Sequence, residues 1–196
     1  DLDFKELKLD FFVASAHKFH GPKGVGFAFV RKNTQLGSFL TGGMQEKGFR
    51  AGTESVHNIF GMAQALKFSL KNLSAEKKYI SEIKNYFISR ISEEIENIKF
   101  NGNSSDINNS TYTIVNILLP IDKKTGGLFM FKLDMKGIAC STGSACQSGS
   151  DNGSHVLNEI LNKEDNNMIS LRFSFSIYNT KEEIDCVINE IKNLLI

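Results

Sequence analysis

The chain has 196 residues, 41% of them hydrophobic and 23% charged; this is the balance of a folded chain with one large domain or two small ones, and it excludes global disorder. A formal net charge of +1 gives no bulk electrostatic pull toward nucleic acid or an acidic membrane. No apolar run approaches the roughly 18 residues that a membrane-spanning helix needs, and no signal peptide is read.

Residues 11–16, FFVASA, predict a short buried strand. Gly21-Pro22-Lys23-Gly24 predicts a turn, and VGFAFV at 25–30 a second strand, with Gly26 where another backbone or a ligand comes close. Residues 41–55, TGGMQEKGFRAGTES, form a glycine-rich loop. Val56, Ile59, Phe60, Ala63, Leu66, Leu70 and Leu73 then recur at helical spacing, and Ile80, Ile83, Phe87, Ile91, Ile95 and Ile98 mark a second helix. A domain boundary between these helices, near Asn72–Ala75, is expected. After an Asn/Ser/Gly-rich loop at 101–111, a strand is predicted over 112–119 and ended by Pro120. A helix over 128–135 is capped by Gly137. The small-residue loop GIACSTGSACQSGSDNGS follows, then a short helix at 156–161 and a strand at 169–175. Thr180 and Glu183 form a capping box before a last helix with Ile184, Val187, Ile188, Ile191, Leu194 and Leu195 on one face. The mixture predicts α/β layers.

The three cysteines are Cys140, Cys146 and Cys186. An odd count without CxxC or CxxH spacing argues against a disulfide scaffold and against a structural zinc, so no metal site is expected. A reducing compartment, most simply the cytoplasm, fits best. The first residue is Asp1, which suggests a processed, cleaved or truncated chain.

Three places could carry chemistry. Lys18 lies in SAHKFHGPKGVGF between His17 and His20, at the end of the first strand. A free lysine titrates near ~10.4, and burial there or a protonated histidine nearby would favour the neutral amine that a Schiff base with an aldehyde cofactor requires. The same spacing fits an ordinary surface lysine. The loop from Gly42 to Thr53 has glycines at 42, 43, 48 and 52 that could aim backbone N–H groups at an anion, with Thr53 and Arg50 adding a hydroxyl and a charge. It also fits a flexible connector. Cys146, in GSACQSG, has small polar neighbours and suits an accessible nucleophile, or else an incidental loop thiol. Cys140 follows Ile138-Ala139 and reads as a packed small residue; Cys186 lies off the apolar stripe of the last helix.

Taken in order, SAHK, GPKGVG, the GG-x-QE-x-G-x-RAGTE loop, GSAC and LRFSF followed by NT-x-EEID resemble the cysteine desulfurases of the NifS/IscS type. Those are pyridoxal phosphate (PLP) enzymes of the aminotransferase class V family with the fold-type I architecture. The resemblance covers essentially the whole chain. It implies that Lys18 holds PLP as a Schiff base and moves the substrate Cα proton. Ser15 and His17 become cofactor-site residues, with Ser15 on the phosphate, and Thr53 reaches the phosphate of the opposite subunit in a homodimer. It further implies that Cys146 attacks the substrate sulfur and becomes a persulfide, and that Arg172 binds the substrate carboxylate, for which its planar fork is suited. The implied reaction turns L-cysteine into L-alanine and passes sulfur to an acceptor such as an iron–sulfur cluster scaffold.

Met44, Lys47, Cys140 and Ser176-Ile177 depart from the family pattern without touching those positions. Family members are also much longer, with the PLP lysine near the middle. Here the groups that stack on the ring and pair its nitrogen would lie upstream. The expectation is therefore the C-terminal half of such an enzyme: residues 1–73 as the end of the PLP-binding large domain and 74–196 as the small α/β domain with the cysteine loop. Such a half alone is expected to be inactive. A related PLP lyase or aminotransferase acting on selenocysteine or cysteine sulfinate, and a non-catalytic binding module, are the competing readings.

Overall fold

The computed structural model describes residues 2–142 and 154–195. The chain divides into two compact units, Asp1–Leu73 and Ser74–Ile196.

In the first unit, β1 (Phe11–Ser15) and β2 (Gly26–Val30) form an antiparallel hairpin with Phe12 opposite Phe29 and Ser15 opposite Gly26. Strand alternation places Phe12, Phe27 and Phe29 on one face, where Phe4 stacks on Phe29 at 4.7 Å between ring centroids and tilts against Phe12 at 5.0 Å. Arg31 ties the preceding segment down by donating to the carbonyls of Phe4, Leu7 and Leu9. The other face carries Phe11 and Val13, both exposed, so FFVASA is not the buried strand its composition suggested. A two-stranded ribbon has two faces, and within this unit Phe4 packs on only one. Pro22, in the turn, lies close to α1 (Val56–Glu94): a Cβ at Gly61 would stand 2.8 Å from its ring.

Helix α1 replaces the two helices expected, and the division between units falls inside it. The segment SLKNLSAEKKY contains no proline or glycine to break it, and Ala, Glu, Lys and Leu sustain helix across the polar Asn72 and Ser74. Its apolar stripe becomes buried only from Ile80 onward.

The second unit is built on a three-stranded antiparallel sheet in the order β3-β4-β5, formed by Lys99–Phe100, Ile114–Asp122 and Met168–Ser174. Val115, Ile117 and Leu119 of β4 and Ile169, Leu171 and Phe173 of β5 point to one face. There they join Ile83, Phe87 and Ile91 of α1, and Phe87 meets Phe173 at 5.0 Å. Helices α2 (Phe129–Met135) and α5 (Lys181–Leu195) complete that core with Phe129, Leu133, Ile184, Ile188 and Ile191. Strand β4 continues past Pro120 instead of ending there. The β4/β5 register shifts between Leu118 and Asp122, and such an irregularity accommodates a residue that cannot donate to the ladder. Short β3, α3 (His155–Ile160) and α4 (Lys163–Asn166) complete the unit; β3 and α4 carry too few residues for a periodic signal.

Local signals act as predicted at two ends. Gly137 has φ +76°; its N–H bonds to the Asp134 carbonyl and that of Ile138 to the Leu133 carbonyl, the paired closure of a Schellman motif. The Thr180 N–H donates to Glu183 while the Glu183 N–H donates to the Thr180 hydroxyl. No described helix is long and apolar enough to cross a membrane.

Candidate functional site

The stretch that carries Lys18 is a single 3-10 turn, Ala16–Phe19, between β1 and β2. Ala16 is fully buried, and its N–H bonds to the Val25 carbonyl at 3.0 Å. The turn closes when Gly21 N–H donates to the Ala16 carbonyl at 2.8 Å, with His20 in the left-handed region at φ 67°. Two glycines permit this closeness. A Cβ on Gly26 would stand 2.3 Å from the Ala14 carbonyl oxygen, and one on Gly21 2.8 Å from the Ala16 Cβ. Gly26 thus marks a close backbone approach, as its place in the strand suggested.

The buried Ala16 leaves its neighbours outside: Ser15, His17 and Lys18 are all exposed. Ser15 precedes the turn as its N-cap, yet its hydroxyl makes no capping bond. A hydroxyl, an imidazole and an amine are therefore presented together within four residues. That donor set fits a ligand with a phosphate and an aldehyde: hydroxyl and imidazole for the anion, amine for the carbonyl carbon. Of the two settings open to Lys18 in the sequence, buried at the strand end or on the surface, the structure shows the exposed one.

The loop that ends at Thr53 is ordered by its own bonds. Ala51 N–H donates to the Leu40 carbonyl, and Gln45 reaches across so that its Oε1 accepts from Gly52 N–H at 3.2 Å. Gly48 N–H donates to the Met44 carbonyl, and Arg50 donates to the Ala51 carbonyl. Two of the four glycine N–H groups expected to face an anion are thus spent inside the loop. Thr53 follows it, exposed. Among the described residues no hydrogen bond or ion pair joins Thr53 to Ser15, His17 or Lys18. Gln45 organises the loop, and its place among four glycines is the only sequence signal of that role.

Arg172 lies in β5 of the second unit, partly buried. Its backbone pairs on one side with Ser141, N–H to carbonyl at 2.7 Å and carbonyl from N–H at 3.1 Å. The chain leading into the small-residue loop is thereby anchored against Arg172. Cys146 lies in that loop, outside the described residues. Cys140 lies just before Ser141, half-buried against the core. Burial and then the Asp134 carboxylate push its thiol up to about 11, which suits a packing role. Cys186 is exposed on α5. Among the described residues no group of three or more His, Cys, Asp or Glu could hold a metal ion.

The family model described as aminotransferase class V matches residues 1–187. The chain belongs to the aminotransferase class V family. Among its curated class V relatives, the cysteine desulfurase IscS of Dictyoglomus turgidum is 34% identical over 192 residues, covering 97% of this chain and 47% of that protein. The cysteine desulfurase IscS of Clostridium botulinum is 34% identical over 200 residues, covering 100% and 48%. A NifS-like protein of known structure superposes with a TM-score of 0.81 at 28% identity, over 98% of this chain and 48% of its own. The X-ray structure of a NifS-like protein from Rickettsia africae gives 0.81 at 26%, over 99% and 49%. The fold is thus that of the NifS-like class V proteins, and the chain spans about half the length of the curated relatives it matches.

Proposed function

We propose that this class V chain serves a PLP-dependent cysteine desulfurase. It would release L-alanine from L-cysteine and carry the sulfur as a persulfide on Cys146 for an acceptor such as an iron–sulfur cluster scaffold. The observation that carries the reading is the exposed Ser15–His17–Lys18 turn, whose donors suit a phosphorylated aldehyde, in a chain similar along its length to proteins named cysteine desulfurase. On this reading residues 1–73 are the end of the cofactor domain and 74–196 the small domain. The protein works as a homodimer in the cytoplasm, and Thr53 serves the phosphate of the opposite subunit.

When bound, PLP supplies an electron sink for the substrate Cα. Lys18 holds the cofactor through its amine and afterwards moves the proton at Cα. Ser15 and His17 hold the phosphate. Arg172 pairs with the substrate carboxylate, for which its planar guanidinium is suited. The Cys146 thiolate attacks the cysteine sulfur. A sulfur–sulfur bond forms and the Cβ–S bond breaks; its electron pair stays on Cβ, where a proton completes alanine.

The test uses the complete gene product loaded with PLP. Lys18→Ala should lose the visible absorbance of lysine-bound PLP and lower alanine release by about 10²–10⁴-fold, the usual weight of a positioned proton-transfer group. Cys146→Ser should keep that absorbance and show no persulfide by mass spectrometry, because a serine hydroxyl is not ionised at neutral pH. A persulfide that persists on Cys146→Ser, or an unchanged spectrum in Lys18→Ala, would refute the assignment.

A further inference from the structure

The face of the second unit's sheet opposite the core carries an unusual polar set. Asn101 is only 6% exposed. Its Nδ2 donates to Asn116 Oδ1 at 2.8 Å and to Ser170 Oγ at 3.0 Å. The Asn116 carbonyl also accepts from Asn101 N–H at 2.9 Å and from the Ser104 hydroxyl at 2.9 Å. Buried polar groups are costly unless every partner is in place, and a filled network is correspondingly rigid. The Asn116 side-chain carbonyl is thus tied to the buried Asn101.

Asn116 is the direct cross-strand partner of Arg172. Arg172 spends its backbone N–H and carbonyl on Ser141, so its pairing with Asn116 is of the non-hydrogen-bonded kind, in which facing Cα atoms come within about 4.5 Å and side chains are closest. Alternation along β5 sends Leu171 and Phe173 into the core and Ser170 and Arg172 to the opposite face, where Asn116 also lies. A tethered amide therefore stands beside the base of the one arginine in β5.

We propose that Asn116 is a positioning residue for Arg172, setting where its guanidinium meets a substrate carboxylate. The proposal rests on the reading of Arg172 as the carboxylate site. It explains the choice of an amide. Asn101 donates to position 116, so an aspartate there would satisfy Asn101 equally well. An aspartate would also place a negative charge next to Arg172, pair with the guanidinium and compete with the substrate carboxylate. A neutral amide at this position adds no competing charge beside the arginine.

The experiment compares Asn116→Asp, Arg172→Ala and the double variant in the complete PLP-loaded gene product. Asn116→Asp should raise KM for L-cysteine about tenfold, within the range of direct couplings, with kcat and melting temperature unchanged. Calorimetric titration with 3-mercaptopropionate, which has the thiol and carboxylate of cysteine without its amino group, should show a similar loss independent of turnover. In the Arg172→Ala background the same substitution should have no further effect. Asn101→Ala, which frees the amide without adding charge, should raise KM about threefold and serves if Asn116→Asp fails to fold. An unchanged KM in Asn116→Asp and Asn101→Ala, beside a raised one in Arg172→Ala, overturns the proposal and leaves the carboxylate site standing. An unchanged KM in Arg172→Ala overturns the site reading itself. A fall in kcat together with melting temperature in Asn116→Asp assigns it a structural role and also overturns the proposal.

Discussion

Cys140 and Lys18 have opposite surroundings for residues of potential reactivity. The lysine is exposed on a turn in which Ala16 is fully buried and Phe19 partly so. The cysteine is drawn against the core by Ile138, and its thiol is pushed up to about 11 by burial and by Asp134. Thiols react as thiolates. Alkylation of Cys140 by iodoacetamide should therefore be slow at pH 7.5 and accelerate about tenfold per pH unit toward pH 11, whereas exposed Cys186 is accessible throughout. Peptide mapping by mass spectrometry checks this; equal labelling of the two at pH 7.5 would contradict the burial of Cys140. The folded value lies above the ordinary thiol value of about 8.5. The stability that this thiol contributes is therefore present below about pH 8.5 and is lost as pH rises through about 11.

Among the elements, α5 has the most explicit local instructions. Its start is set by the reciprocal Thr180–Glu183 bonds, and its apolar stripe enters the core at Ile184, Ile188 and Ile191. Thr180→Ala removes the acceptor for the Glu183 N–H and should cost about 1 kcal/mol, read as a lower urea midpoint without a change in slope. The Thr180→Ala/Glu183→Ala double variant should cost less than the sum of the singles, since the two bonds form one reciprocal motif. The loop at 101–111 combines local and distant ties. Asp106 accepts from the N–H groups of Asn108 and Asn109 within it, and buried Lys84 holds its end by donating to Ser110 Oγ at 2.6 Å and to the Thr111 carbonyl at 2.8 Å. The Asp106–Asn109 bonds are local to the loop's sequence, whereas nothing in that sequence announces Lys84.

At the scale of the whole molecule, charge is distributed unevenly between the two units. Glu94 is held below the usual carboxylate range by Lys192, Asp185 by the Tyr86 hydroxyl and Arg90, Asp106 by Asn109 and Asp122 by Thr125. All four belong to residues 74–196. Depressed folded values mean that their stabilisation is complete above the ordinary carboxylate range of about 4 and fades as pH falls below it. Asp122 is exposed and the other three remain in partial contact with solvent, so each contribution is modest. Amide hydrogen exchange at decreasing pH, corrected for intrinsic rates, should show protection in β4 and α5 falling before that of the β1/β2 hairpin. Simultaneous loss in both units would contradict this.

What the sequence determined by itself is what neighbouring residues settle among themselves. The Gly137 cap, the Thr180 box and the hairpin turn at Gly21–Gly24 depend on contacts a few residues apart, the strands at 26–30 and 169–174 announce themselves by composition, and the motifs around Lys18 and Arg172 were legible as strings. Tertiary structure decided what depends on partners far along the chain. Helix α1 runs through Ser74 because nothing local stops it, and only packing reveals that burial begins at Ile80. Pro120 stays within β4 because the ladder to β5 is already broken there. The face of Phe11 and Val13 is exposed because half-burial of a strand is set by what covers it. Asn116 stands opposite Arg172, 56 positions later, through strand register alone, and a one-residue slip would have sent it to the core face.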